Sequence, residues 1–255
     1  MKKFFALCLL SIIFSPSNVF ANMPLKIGII GAMDIEVETL KQAADVERRI
    51  TRAAMEFCEG KLGNTDVVIV KCGMGKVNAG MCVQILCDIF NVTHIINTGV
   101  AGSLNNSLDV GDIVVAVDAV QHDYDVTPIG FKKGEIPYTG LVSFKSDNEL
   151  RKKAVNAAKK VAPKNQVIEG RICTGDQFIA TKEQKDKIIS SFGGDCCEME
   201  SGAIAQACYL NDTPFVIIRT IADKADSNET VDFHEFEAET AKLCASLTEY
   251  MVKNF

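Results

Sequence analysis

Acidic side chains and one arginine stand where apolar runs break into loops. Glu36 closes Gly31-Ala32-Met33-Asp34-Ile35-Glu36, and Glu198 and Glu200 flank Met199 in Cys197-Glu198-Met199-Glu200-Ser201. Arg219 and Asp223 bound Arg219-Thr220-Ile221-Ala222-Asp223. In open α/β sheets, ligands gather at the carboxyl ends of strands, and carboxylates held there are suited to moving protons. Each residue also has an ordinary structural reading. Asp223 suits a helix N-cap or a solvated loop, and Glu36 an exposed helix face. Glu200 suits the first turn of a helix, where the dipole favours an acid.

The elements that must position these groups alternate along the chain. Residues 26–31, 65–72, 93–97, 112–120, 166–173 and 214–220 are β-branched or apolar runs that read as strands. Residues 34–46, 76–90, 147–161, 182–191, 201–210 and 233–252 carry helical spacing. Strand, glycine-containing turn, helix, strand predicts βαβ units and a largely parallel sheet. No Pro/Gly/Ser linker divides residues 22–255, which predicts a single α/β domain. Gly73, Gly75, Gly99 and Gly102 lie in the turns and are expected to take positive φ. The turns match neither Gly-x-Gly-x-x-Gly nor a P-loop, so neither a dinucleotide nor ATP is expected, and no cofactor is implied.

Composition narrows the classes. The 255 residues are 47% hydrophobic and 24% charged, an ordinary globular balance that excludes disorder and low-complexity scaffolds. The net charge of −6, with no Trp, argues against nucleic acid, since neutralising phosphates takes a basic face. Lys2 and Lys3, the apolar stretch 4–14, and Val19-Phe20-Ala21 form the three-part pattern of a secretory signal peptide, with cleavage expected after Ala21. An apolar run of about 11 residues is too short for a ~30 Å bilayer core. The mature chain is therefore expected to be exported, periplasmic or secreted, with no membrane contact beyond the signal.

Ten cysteines include Cys8 of the signal, which leaves an odd number in the mature chain. They sit in apolar runs without Cys-x-x-Cys pairs, so buried free thiols are expected rather than a disulfide framework. With only three histidines, a zinc site has little support.

Several strings occur together and in order: KIGIIGAM-x-x-EV at 26–37, G-x-GKV at 73–77, INTG-x-AG at 96–102, VGDIVV at 110–115, HD-x-DVT at 122–127, GD-x-FI at 175–179, EME at 198–200 and R-x-I-x-D at 219–223. By these strings the chain resembles the bacterial 5′-methylthioadenosine/S-adenosylhomocysteine nucleosidases of the purine nucleoside phosphorylase superfamily. The resemblance implies a twisted mixed sheet flanked by helices, a homodimer, and an adenine nucleoside as substrate. It also implies a place in methionine salvage and nucleoside catabolism, with 5′-deoxyadenosine as a further substrate. Cleaving an N-glycosidic bond passes through an oxocarbenium-like state, which calls for a proton donor on the leaving base and a carboxylate on the water. By resemblance, Asp223 protonates adenine at N7 and Glu36 activates the water. Glu200 holds the ribose hydroxyls with Met199 against the sugar, Phe178 stacks on adenine, and the Ile179 backbone reads its edge. Arg219 fixes the water or Glu200, while Met33 and Phe233 wall the ribose and its 5′ substituent.

The sequence departs from this pattern in two places. Family members commonly carry Ser at the positions of Val100 and Ala222. In the phosphorylase branch, the Ser at the Val100 position and nearby arginines bind phosphate. Val100 offers no hydroxyl and the first loop no Arg, which favours water as the nucleophile. Two alternatives stay open at this level: another superfamily enzyme, such as a futalosine hydrolase or a phosphorylase, and a non-catalytic nucleoside-binding protein.

Overall fold

Ile27 and Ile29 in β1 (Lys26–Gly31) face one side of the sheet and Ile30 the other, and Val67/Ile69 and Val68/Val70 divide the same way in β4 (Thr65–Lys71). Period-two alternation with both faces apolar is the signature of a strand buried on both sides. Helices α1 (Asp34–Ala43), α3 (Asn148–Val161) and α6 (Glu229–Lys253) cover the first face; α2 (Lys76–Phe90) and α5 (Ser201–Leu210) cover the second. The computed structural model describes residues 24–225 and 229–255, without the side chains of 229–235. The expected signal segment and the Phe233 side chain lie outside the described residues.

The remaining elements are β2 (Asp45–Arg52), β3 (Met55–Leu62), β5 (His94–Ser103), β6 (Ile113–Gln121), β7 (Ser143–Lys145), β8 (Val167–Thr174), α4 (Lys182–Phe192), β9 (Cys196–Glu198) and β10 (Phe215–Asp223). The sheet is mixed, as the family resemblance implies, and less parallel than the alternation alone predicts. β4, β1, β5 and β10 run parallel, whereas β10–β6, β5–β9 and the β2–β3–β4 ladder are antiparallel. Because β9 bridges β8 and β5 while β10 pairs with both β5 and β6, five strands close into a ring. The helix expected over 34–46 stops at Ala43, and residues 45–52 form β2, an edge strand rich in Arg. Its hairpin turns through Ala53 and Ala54, both at positive φ. The usual Asn-Gly signal of such a turn is missing, so the hairpin is silent in the sequence.

The cysteines described are free, and all are buried except the half-buried Cys87. Burial raises the thiol pKa of Cys72, Cys82, Cys173, Cys196 and Cys208, which keeps them as small neutral hydrophobes. Among the described residues no group of His, Cys, Asp and Glu is placed to hold a metal, and no helix is long and apolar enough to cross a membrane.

Candidate active site

Glu36 is the third residue of α1, immediately beyond β1. Its Oε2 accepts the N–H groups of Ala32 at 2.6 Å and Met33 at 2.9 Å, and its Oε1 accepts that of Val100 at 3.1 Å. The carboxylate therefore ties the start of α1 to β5, and it is buried rather than on the exposed helix face of its ordinary reading. Burial pushes its pKa up; the Arg219 charge and the backbone donors only partly offset this, and the net shift is upward. A carboxylate made more basic in this way is suited to accept a proton.

β5 and β10 deliver the next groups in register: Arg219 pairs with Gly99, and Asp223 with Gly102 across a bulge. A Cβ at Gly99 would lie 2.4 Å from Glu36 Oε1, and one at Gly102 would lie 2.6 Å from Asp223 Oδ1. Both glycines are thus needed for space. Their expected positive φ is not found, because they belong to a regular strand, whereas Gly73 and Gly75 do turn at φ +85° and +95°. Asp223 is buried at the end of β10, and its Oδ1 accepts the Ala225 N–H at 2.9 Å.

Short β9 carries the chain to Glu198 and Glu200. Glu200 Oε1 accepts the Gly75 N–H at 2.8 Å; burial, then the charge of Glu198, pushes its pKa up to about 8. Glu198 accepts the N–H groups of Glu200 at 3.1 Å and Ser201 at 2.9 Å, the Ser201 hydroxyl at 2.7 Å and the Thr174 hydroxyl. Burial alone would raise its pKa, but Arg219 and these donors hold it below the usual range. Arg219 is fully buried, with Nη2 donating to Asn97 Oδ1 at 2.6 Å, Glu198 Oε2 at 2.8 Å and Ser201 Oγ at 2.9 Å. Burial works against its charge, but the surrounding carboxylates raise its pKa further.

The carboxylates of Glu36, Glu198, Glu200 and Asp223 line one pocket. Of the residues singled out in the sequence, Met33, Glu36, Val100, Phe178, Ile179, Met199, Glu200 and Asp223 line it. Arg219 does not line it; the guanidinium lies behind the wall, held by Glu198, so its influence on Glu36 and Glu200 is electrostatic. Phe178 lines the pocket and is 47% exposed, an aromatic face of the kind on which a planar base can stack. Ile179 is buried in a small apolar cluster beneath it. Sequence reasoning assigned nothing to Glu198, although it stood in the same EME string, nor to Met74 and Gln177, which also line the pocket. For those two the sequence holds no signal beyond their nearness to glycine turns.

The sheet order and a carboxylate-lined pocket at the strand ends define an α/β protein of the nucleoside phosphorylase type. The sequence profile of the phosphorylase superfamily matches residues 26–253. A 5′-methylthioadenosine/S-adenosylhomocysteine nucleosidase from Staphylococcus haemolyticus is 40% identical over 228 residues, covering 89% of this chain and 99% of that protein. The Neisseria meningitidis enzyme of the same name, crystallised with methylthio-immucillin-A, superposes with a TM-score of 0.87 at 34% identity, covering 90% of this chain and 99% of the other. Helicobacter pylori futalosine hydrolase superposes with a TM-score of 0.86 at 29% identity, covering 91% and 98%. The chain belongs to the 5′-methylthioadenosine/S-adenosylhomocysteine nucleosidase family of the phosphorylase superfamily.

Proposed function

We propose that the protein hydrolyses the N-glycosidic bond of 5′-methylthioadenosine, S-adenosylhomocysteine and 5′-deoxyadenosine, releasing adenine and the 5-substituted ribose. The observation that carries this reading is Glu36, a buried carboxylate of raised pKa held by three backbone N–H groups in the wall of a pocket it shares with Asp223 and Glu200. Glu36 takes a proton from water as it attacks the anomeric carbon, and Asp223 gives a proton to N7 of the departing adenine. Glu200, whose pKa burial and then the Glu198 charge push up to about 8, holds the ribose hydroxyls, with Met199 against the sugar. Phe178 stacks on the base, the Ile179 backbone meets its edge, and Met33 flanks the 5′ substituent. Val100 supplies its backbone N–H to Glu36 and an apolar side chain to the pocket, with nothing to hold phosphate.

The test is adenine release from 5′-methylthioadenosine with and without phosphate, with futalosine as a competing substrate. Phosphate-independent adenine with free methylthioribose is expected. A sugar phosphate, a preference for futalosine, or tight binding without turnover would each replace the reading. Curated relatives at 40–42% identity that bear the 5′-methylthioadenosine/S-adenosylhomocysteine nucleosidase name favour that reading.

Two further expectations belong to the same reading. Export with cleavage after Ala21 rests on the signal pattern, and is checked by the mass of the protein recovered from the periplasm or medium. A homodimer is supported by Met74, Val77 and Met81, exposed apolar residues at helical spacing beside the pocket; light scattering of the purified protein decides it.

A further inference from the structure

Among the buried groups that the proposed reaction leaves without a task, Glu198 has the densest set of partners. It receives backbone N–H bonds from Glu200 and Ser201, two hydroxyl bonds, and an ion pair from Arg219 at 2.8 Å. A helix-terminus acid needs only the N–H bonds. The remaining donors are the Ser201 hydroxyl at the start of α5, Thr174 on β8 and Arg219 on β10, so Glu198 joins these three elements beside the pocket. Arg219 extends the link. Its Nη1 lies near Gly99, at the same place where a Cβ would strike Glu36 Oε1, while its Nη2 is held by Glu198, Asn97 and Ser201.

We propose that Glu198 is a positioning residue for the hydrolysis: through Arg219 it sets the charge felt by Glu36, and through the Glu200 N–H it fixes the carboxylate that holds the sugar. The proposal rests on the nucleosidase reading. Glu198 remains the permanent counter-charge of Arg219. With Arg219 balanced in this way, the buried Glu36 keeps its raised basicity rather than being drawn into a contact ion pair with the guanidinium. Burial first, and then the same negative charge, push the Glu200 pKa up. The other titratable groups facing Glu198 are His122 beyond β6 and the thiols of Cys173, Cys196 and Cys197. Burial lowers the His122 pKa and raises those of the thiols, so all of them stay neutral near pH 7 and leave Glu198 and Arg219 as the fixed charges.

The experiment compares wild type, Glu198→Gln and Glu198→Asp in kcat, KM and the pH profile of kcat/KM for 5′-methylthioadenosine. Adenine release by the wild type tests the nucleosidase reading on its own; the variants test the inference. In Glu198→Gln the Arg219 charge is unopposed, so kcat falls about ten- to a hundred-fold, the range of a lost charged hydrogen bond, and the acid limb of the profile moves to lower pH. Glu198→Asp keeps the charge, so its acid limb stays at the wild-type position while kcat falls. A Glu198→Gln protein that is less heat-stable yet has wild-type kcat and an unmoved acid limb overturns the proposal. Should Glu198→Gln fail to fold, Ser201→Ala removes a bond to both Glu198 and Arg219 without changing charge; a several-fold loss of kcat supports the link, and an unchanged kcat overturns it.

Discussion

The Val100 N–H donates to Glu36 Oε1 at 3.1 Å, so the proposed base on the first helix is held by a neighbouring strand through backbone alone. The side chain at position 100 is free to vary without loss of that bond. Glu36→Gln has a different consequence. Both carboxylate oxygens accept N–H groups, and an amide would turn its own NH₂ toward one of these donors. The variant is expected to lose ~10²–10⁴-fold in kcat and about 1–3 kcal/mol of stability from the mismatched donor. Steady-state rates and thermal unfolding check both; near-normal turnover would remove Glu36 from its role.

Asp223→Asn separates chemistry from structure more cleanly. Asp223 Oδ1 accepts the Ala225 N–H, a bond an amide oxygen keeps. Folding is expected to survive, while loss of the proton donor lowers kcat by ~10²–10⁴-fold. Equilibrium binding of 5′-methylthioadenosine by the inactive variant, measured by calorimetry, should remain. A variant that turns over normally would place the acid elsewhere.

Much of this site was legible because its parts lie at strand ends with distinct residue types. The strand at 26–31, the glycine turn and Glu36 follow one another within a dozen residues, and α2 and α5 have the bounds their apolar spacing predicts. The missed elements were those whose reasons are not local. β9 is three residues long and exists because β5 and β8 leave a gap between them. The β2–β3 hairpin turns on two alanines. Glu198 looked like half of a pair because its partner, Arg219, is supplied by a strand that only the folded sheet brings near. Gly99 and Gly102 read as turn residues, since only the tertiary structure brings Glu36 and Asp223 against them.

Val100→Ser and Ala222→Ser test the departures from the family pattern. Val100 and Ala222 share a small apolar cluster with Met33, Ile35 and Ala241. A hydroxyl at either position adds a hydrogen-bonding group beside the proposed water site or Asp223, and gives up apolar packing. The double variant is expected to turn over faster than wild type and to be less stable by about 1–3 kcal/mol. It should stay independent of phosphate, since the loop before Glu36 carries no Arg. A slower double variant would show that the apolar wall itself favours the reaction.

The pH dependence of stability follows from Glu200. The unfolded chain releases this proton near the ordinary 4.5 and the folded chain near about 8, through burial and the Glu198 charge. Between those values the native state binds the extra proton, so this group's contribution falls as pH rises from 4.5 to about 8. Glu200→Gln carries no such proton. Its melting temperature is therefore expected to gain on that of wild type as pH rises through this window. Parallel melting curves for the two proteins would mean that Glu200 titrates normally.

Gly99→Ala tests whether space, rather than turn geometry, is what this strand position provides. The added methyl would stand 2.4 Å from Glu36 Oε1 and 3.2 Å from Arg219 Nη1, closer than packed carbon and oxygen allow. Neither neighbour yields easily: Glu36 is held by three N–H groups, and Arg219 by Asn97, Glu198 and Ser201. The backbone at Gly99 is ordinary strand, so alanine brings no φ strain and the cost falls on the carboxylate. A displacement of the order of 1 Å at a reacting group costs roughly 10²-fold in rate. Gly99→Ala is therefore expected to fold and to lose about that much in kcat, whereas Gly80→Ala on α2, where a Cβ meets nothing within 4 Å, keeps wild-type rates. Equal rates for the two variants would mean that Glu36 has room to move, and that its fixed position is not what the reaction requires.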